Sequence, residues 1–471
     1  MLVTGPWLDP PSLSLSGADQ TFWPPGVRTP ADDARITAYG KALAFYNGQQ
    51  WPDATGQRQR REESRLVFNY ARVLIRKTAS YVFPGPVAFS VVPASDDPDA
   101  DPERANMAER LLAATATELD LTRLDLALAV DAAVLGDAAL KVTWDAQRNR
   151  PRVVAVDPGS LVATCAPDDP RAVDAMTHTY GLTGDQIHRL FPEITAAVPE
   201  VLGLAPRQMY PVVEVWTADR WHLMIAGQQV HDVANPYGWI PYIVVANNPR
   251  PFSFWGQSEL TDLIDVCREL NQRMTVLSRI LELSGAPIAV LENVDGSDGI
   301  AVGPGAKWEL PEGARAYLLD LLQGGSTDVH LAYITQLFRV LHDLAETPRT
   351  AFGDSGRDLS GAALEVEIQP LVQKVGRMRR MWDGVFARRN AMLLDLLERF
   401  GGHDLHGLRR TVTIWPAVLP SDTDASVRNA VALVGSNIQS RRSAIVALGS
   451  DDPDTELARM LDEVQRGFGP G

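Results

Sequence analysis

Two stretches with apolar residues three and four apart dominate the second half of the chain. The first carries Leu260, Leu263, Ile264, Cys267, Leu270, Met274, Leu277 and Leu281, and the second Leu331, Ile334, Leu337, Phe338 and Leu341. This spacing lays apolar side chains along one face of a helix. Ser258 stands where it would cap the first helix. The second begins near Ser326 and Asp328 and stops before Pro348, since the residue before a proline is steered out of helical backbone. A third helical pattern covers 361–400, with Pro370 near its start as an expected kink and Gly401 and Gly402 as its stop. Between the paired helices, 288–291, 300–302, 306–310 and 316–318 read as four short strands set apart by Gly and Pro turns. An insert of about forty residues buries little of its own surface, so its strands are expected to complete a sheet with neighbouring copies.

The first half mixes both periods. Residues 1–33 are rich in Pro, Gly and Ser, include Trp7 and Trp23 and hold no sustained pattern, as an arm would. A helix is expected at 34–48. A longer one is expected at 62–83, with Leu66, Tyr70, Val73, Leu74, Lys77 and Tyr81 on or near one face and Pro84 as its stop. A strand at 87–92 and an acidic surface loop at 95–103 precede helices at 104–119 and 121–135, the latter ending at Gly136. Residues 138–144 alternate toward a turn at 145–150 and pair with 153–156 as a hairpin. Further strands are expected at 175–180, 212–217, 221–226 and 242–246, with a helix at 184–190. Beyond 402 come a strand at 410–415 and helices at 425–434 and 455–467, with 440–448 between them. The fold class is α+β, mostly helical.

Composition narrows the function. With 45% hydrophobic and 22% charged residues and no apolar run of bilayer length, the 471-residue chain is expected to fold in water as several packed units, without a membrane span. A basic region followed by an apolar one and a cleavage site is missing from the N-terminus, so export through a signal peptide is not expected and folding in a cytoplasm is. Cys165 and Cys267 are too far apart for a CxxC site or a disulfide framework and read as buried thiols. A net charge of −15 argues against a protein whose main work is to grip nucleic acid, because that affinity comes from Lys and Arg neutralising phosphates. Against this background 369–390 is locally basic: Lys374, Arg377, Arg379, Arg380, Arg388 and Arg389 face one acid, Asp383. Such a cluster suits either DNA or the acidic surface of a neighbouring subunit.

Several local patterns, taken in order, resemble the portal proteins of tailed phages, the head–tail connectors of long-tailed double-stranded DNA phages. NYARVLIRKTASYVFPGPVAFSV (69–91) resembles the family's first helix and its turn into a strand. VLGDAALKVTWD (134–145) with VVAVDPGSLV (153–162) is similar to its hairpin and the Asp-Pro after it. NPYGWIPYIVVANN (235–248) and GQSELTDLIDVCRELNQRMTVLS (256–278) resemble the approach to its stem helix. LAETPRTAFGDSGRDLSGAALEVEIQPL (344–371) resembles its loop and kinked helix, with Ser360, Gly361 and Leu364 in the Ser-Gly-x-x-Leu positions, and SRRSAIVALGSDDPDTELARMLDE (440–463) its tail. The arm matches no part of the pattern.

The resemblance implies a homo-oligomeric, typically twelvefold, ring at one capsid vertex of the virion, assembled in the host bacterial cytoplasm. Double-stranded DNA would pass through it during packaging and ejection. The implied partners are the terminase large subunit, the major capsid or scaffolding protein and a head–tail adaptor. The implied layout is an arm (1–33), a wing (34–257), a stem helix (258–284), a β-rich clip (285–325), a second stem helix (326–346), a tunnel loop (347–360), a long kinked wing helix (361–402) and a C-terminal strand with crown helices (403–471). Arg349, Thr350, Phe352, Asp354, Arg357 and Asp358 would face the channel.

Three chemical motifs are incomplete. Residues 353–356 spell GDSG around Ser355, but the following Gly, an upstream histidine segment and paired cysteines are missing, so no acyl-transfer triad is expected. His403 and His406 lack a third ligand for a metal. Gly303 and Gly305 begin a GxGxxG that fails at Trp308, and no GxxxxGK[ST] occurs. The chain is therefore expected to be no enzyme and to need no cofactor. The alternative to a portal is another helical scaffold or assembly protein, for which a β insert between equal helices has no evident use.

Overall fold

Helices start where a side chain can take up the free N–H groups of the first turn. The computed structural model describes residues 27–51, 65–92, 102–192, 196, 198–285, 288–293, 312–319, 326–353, 361–418, 423–448, 456–460 and 462. In it α1 (Pro30–Tyr46) begins ahead of the expected residue 34, because Thr29 and Asp32 form a reciprocal cap. Thr29 N donates to Asp32 Oδ2 at 3.0 Å and Asp32 N donates to Thr29 Oγ1 at 3.2 Å. By contrast α2 (Tyr70–Val82) is shorter than the expected 62–83. Asn69 caps it by accepting from Arg72 N, and 65–69 are not helical.

The chain continues through β1 (Ala88–Val91), α3 (Pro102–Glu118), α4 (Leu121–Leu135), β2 (Asp137–Asp145), β3 (Arg150–Val156), β4 (Leu161–Cys165), β5 (Val173–Thr183), α5 (Gly184–Leu190), β6 (Met209–Trp216), β7 (Arg220–Ile225), β8 (Gln228–Ala234) and β9 (Tyr242–Ala246). Then come α6 (Ile264–Gly285), β10 (Ile288–Glu292), β11 (Arg315–Leu319), α7 (Ser326–Leu344), α8 (Gly361–Arg399), β12 (Thr411–Ile414), α9 (Thr423–Gly435) and α10 (Arg441–Ala447). The fold is α+β. Two compact units result, one of Met1–Leu43, Ile75–Glu259 and Gln369–Gly471, the other of Ala44–Leu74 and Leu260–Ile368.

Among the described residues the larger unit holds three sheets: β3-β2-β9, β4-β5-β6-β7-β8 and the pair β1-β12. The hairpin β2–β3 has the expected partners, with Val142 opposite Val153. Instead of alternating, β2 is buried at every position: it runs between β3 and β9, packs against α4 and sends Lys141 to Glu214 of β6. Strands β4 and β8 add to the expected set. Gln228–Ala234 carries no apolar alternation and is exposed or half-exposed throughout, so its backbone ladder to β7 is what makes it a strand. Aromatic rings build part of the core of the larger unit, as in the Trp216–Trp221 stack at 5.1 Å, while Phe252 is 96% exposed. Phe83 meets Trp382 edge-on at 5.1 Å and Phe386 packs on Trp415 at 5.6 Å.

Gly136 ends α4 at φ 103°, where a Cβ would lie 2.7 Å from Ser258 N. Ser258 is held there by its hydroxyl, which donates to Val134 O at 2.5 Å. It therefore fastens the chain to the end of α4 and does not cap α6, which starts only at Ile264. Of the cysteines, Cys267 is buried and Cys165 only half-buried, a correction to the expected pair of buried thiols. Burial pushes the Cys267 thiol up to about 12. The expected strands at 300–302 and 306–310 lie outside the described residues, as does most of 455–467.

Candidate functional site

In the smaller unit α6 and α7 pack through Leu270, Leu277, Ile334 and Leu337, with Tyr70, Val266, Met274 and Phe338 around them. Tyr70 meets Phe338 edge-on at 4.8 Å. The two apolar stripes are not wholly consumed by this contact. Leu281 and Leu331, both on the expected stripes, are 52% and 48% exposed, and Val329 and Tyr333 are 70% and 44% exposed. Residues 65–69 are tied along α6 by side chains: Phe68 N donates to Asn271 Oδ1 at 2.8 Å and Leu66 N to Thr275 Oγ1 at 3.1 Å; Asn271 Nδ2 in turn donates to Gln50 Oε1 at 2.6 Å. Strands β10 and β11 pair antiparallel, with Val290 opposite Tyr317.

The loop after α7 starts from a fixed base. Thr347 is fully buried, its hydroxyl donates to Ala345 O at 2.9 Å, and its carbonyl lies 2.7 Å from His342 Nδ1. Pro348 then leads into a single 3-10 turn, Arg349–Phe352, closed by Gly353 at φ 84°. Arg349 is exposed with its guanidinium carbon 6.0 Å from the Phe338 ring, Thr350 is half-buried, and the Phe352 ring lies 5.3 Å from His342. Asp354, Ser355, Arg357 and Asp358 lie outside the described residues.

The basic run on α8 splits in two. Lys374 donates to Glu259 Oε2 at 2.6 Å with both side chains buried, and Arg389, 1% exposed, pairs with Asp125 at 2.5 Å. Arg379 donates to Val82 O at 3.1 Å and Pro416 O at 2.8 Å and lies 4.8 Å over the Trp415 ring. These three are each satisfied by groups of the subunit's own fold. Arg377, Arg380 and Arg388 remain exposed, and Asp383 accepts from Trp415 Nε1 at 2.7 Å.

A family model described as phage portal protein, SPP1 Gp6-like, matches residues 29–467. The chain belongs to the phage portal protein family. No curated protein matches it. A portal protein is a structural component of the phage capsid, placed at the portal vertex and serving DNA packaging. Among the described residues of this portal protein no helix is long and apolar enough to cross a membrane, and no group of three or more His, Cys, Asp or Glu is arranged to hold a metal ion.

One constellation in the portal subunit has no counterpart among the sequence motifs. Glu214 accepts from Lys141 Nζ at 2.6 Å, Trp216 Nε1 at 2.7 Å and Tyr180 OH at 2.7 Å, and His178 Nδ1 lies 3.0 Å from Tyr242 OH. The cluster fastens β2 and β9 to β5 and β6, across two sheets. Burial alone would raise the Glu214 carboxyl, but the charge of Lys141 and the hydrogen bonds from Lys141 and Trp216 bring it down to about 2. Burial, with Lys141 adding to it against Glu214, lowers His178 to about 3, so the ring is neutral. A signal was present: Lys141 in ALKVTW and Glu214 in VVEVW are lone charges inside apolar strands.

Proposed function

We propose that copies of this portal protein close into a ring, twelvefold in the capsid, through which double-stranded DNA passes during packaging and ejection. The observation that carries the reading is the incomplete burial of the α6–α7 pair. One face is packed within the copy, while Val329, Leu331 and Tyr333 are left to water beside it. A heterologous contact, in which one surface meets a different surface of the next copy, covers such a face and closes into a ring. In this reading α6 and α7 form the stem, 285–325 the clip, 347–360 the tunnel loop, α8 the long helix of the wing, and the segment beyond 403 the crown.

The charge fits a conduit. A net charge of −15 leaves a polyanion only scattered contacts, so DNA slides and is not held. Arg349 and Arg357 are the channel contacts of the loop, with Asp354 and Asp358 offsetting them. The terminase large subunit, the major capsid or scaffolding protein and a head–tail adaptor dock on the ring. Negative-stain imaging of the purified protein tests the reading: end-on annuli with a central hole are expected. A compact single-copy species at working concentration, without annuli, would overturn it.

A further inference from the structure

The larger unit presents one face of α8 whose sign is opposite to that of the whole chain. Between 369 and 388 the exposed positions include Gln373, Arg377, Arg380, Gly384, Ala387 and Arg388, three and four apart as along one side of a helix. Three are arginines and none is a carboxylate; Asp383, beside them, is half-buried under Trp415. The chain as a whole carries 59 acidic against 44 basic residues.

Two glycines interrupt the same helix. A Cβ built on Gly376 or Gly384 meets nothing within 4 Å, so no packing inside the chain requires a glycine at either place. Glycine in a helix interior is unfavourable relative to alanine, and its use is to let another backbone come close. Copies of a chain this acidic repel one another unless one side of each contact is locally positive.

We infer that this arginine and glycine face of α8 docks a second copy of the chain, setting Arg377, Arg380 and Arg388 against carboxylates of the neighbouring subunit while Gly376 and Gly384 admit its backbone. The inference rests on the ring reading above and names the charged contact of that ring. DNA phosphates would also attract exposed arginines but give no reason for the glycines, which favours a protein occupant.

The test uses the full-length protein and reads the assembled fraction by mass photometry across a salt series. It also reads the thermal unfolding midpoint and the retention of duplex DNA. The triple variant R377E/R380E/R388E is expected to lower the assembled fraction roughly tenfold or more near ~0.1 M salt, with its unfolding midpoint changed little. The double variant G376A/G384A, whose added methyls enter open space, keeps the fold safe. It is expected to raise the unfolding midpoint and still weaken assembly. Both variants assembling as the parent does, at every salt concentration, overturns the inference. So does a triple variant whose rings are intact but no longer retain DNA, which gives the face to phosphates. Failure of the parent to form rings at all is visible before any substitution; it overturns the ring reading and this inference with it.

Discussion

Adjacent residues on α8 separate buried from exposed charge. Arg389 is 1% exposed against Asp125, whereas Arg388 is exposed and donates to Gly384 O of its own helix, at 3.3 Å. Removing one partner of a buried pair leaves the other charge uncompensated. Arg389→Ala is therefore expected to cost roughly 3–5 kcal/mol in denaturant unfolding, and Arg388→Ala to stay within about 0.5 kcal/mol. The buried cluster around Glu214 makes a second prediction. His178 falls from an ordinary 6.5 to about 3 in the folded chain, so below pH 6.5 the unfolded chain binds a proton that the folded one refuses, and stability drops as pH falls through 6.5 to 3. Glu214 falls from 4.5 to about 2, so its contribution is whole above 4.5 and is lost as pH drops toward 2. Asp131, which burial raises to about 6, works in the opposite direction, so the His178 contribution is read as a difference between parent and variant. The unfolding midpoint of His178→Gln should gain on that of the parent as pH falls from ~7 through ~5.5 to ~4.5, and a difference independent of pH over that range would contradict the assignment.

Among the elements, the junction of α4, β2 and the 256–258 segment tolerates least. Gly136 has φ 103° and its Cβ would lie 2.8 Å from Gln257 C, while a Cβ on Gly256 would lie 2.1 Å from Asn247 O. In both cases the obstacle is backbone, which cannot swing aside. Gly136→Ala is expected to lose at least ~2 kcal/mol, visible as a lowered midpoint in circular dichroism, since strain from the left-handed conformation adds to the overlap. Much about the elements is legible in the sequence. Helix α4 and the stop at Gly136 follow from apolar spacing and a single glycine, and the helix expected at 184–190 is α5, which the structure shows to be capped by the reciprocal bonds of Thr183 and Gln186. The illegible part has one cause: the role of Ser258 and the strand β8 are decided by partners outside their own segments, the α4 terminus in one case and the β7 backbone in the other.

At the scale of the whole molecule the family match gives the role, and the division of labour between loop and stem becomes testable. Thr347 is buried and bonded at the end of α7 and the Arg349–Phe352 turn follows it, so the loop leaves α7 from an ordered base. Deleting 354–358, beyond that turn, is expected to leave annuli assembled and to impair DNA translocation or retention. Protein that no longer assembles after that deletion would assign the loop to the ring contact.

The sequence alone determined the order of helices and strands over most of the chain, the equal helices flanking a β insert, the long helix ending at Gly401 and Gly402, and the portal resemblance. Each of these rests on local periodicity, caps and stops, which neighbouring residues settle among themselves. Only the tertiary structure decided which charges are buried and which lie on the surface. Lys374, Arg379 and Arg389 look identical in sequence to Arg377, Arg380 and Arg388. Folding buries the first three against Glu259, Trp415 and Asp125 and leaves the other three exposed, because charge is satisfied through space and the groups that satisfy it lie far along the chain.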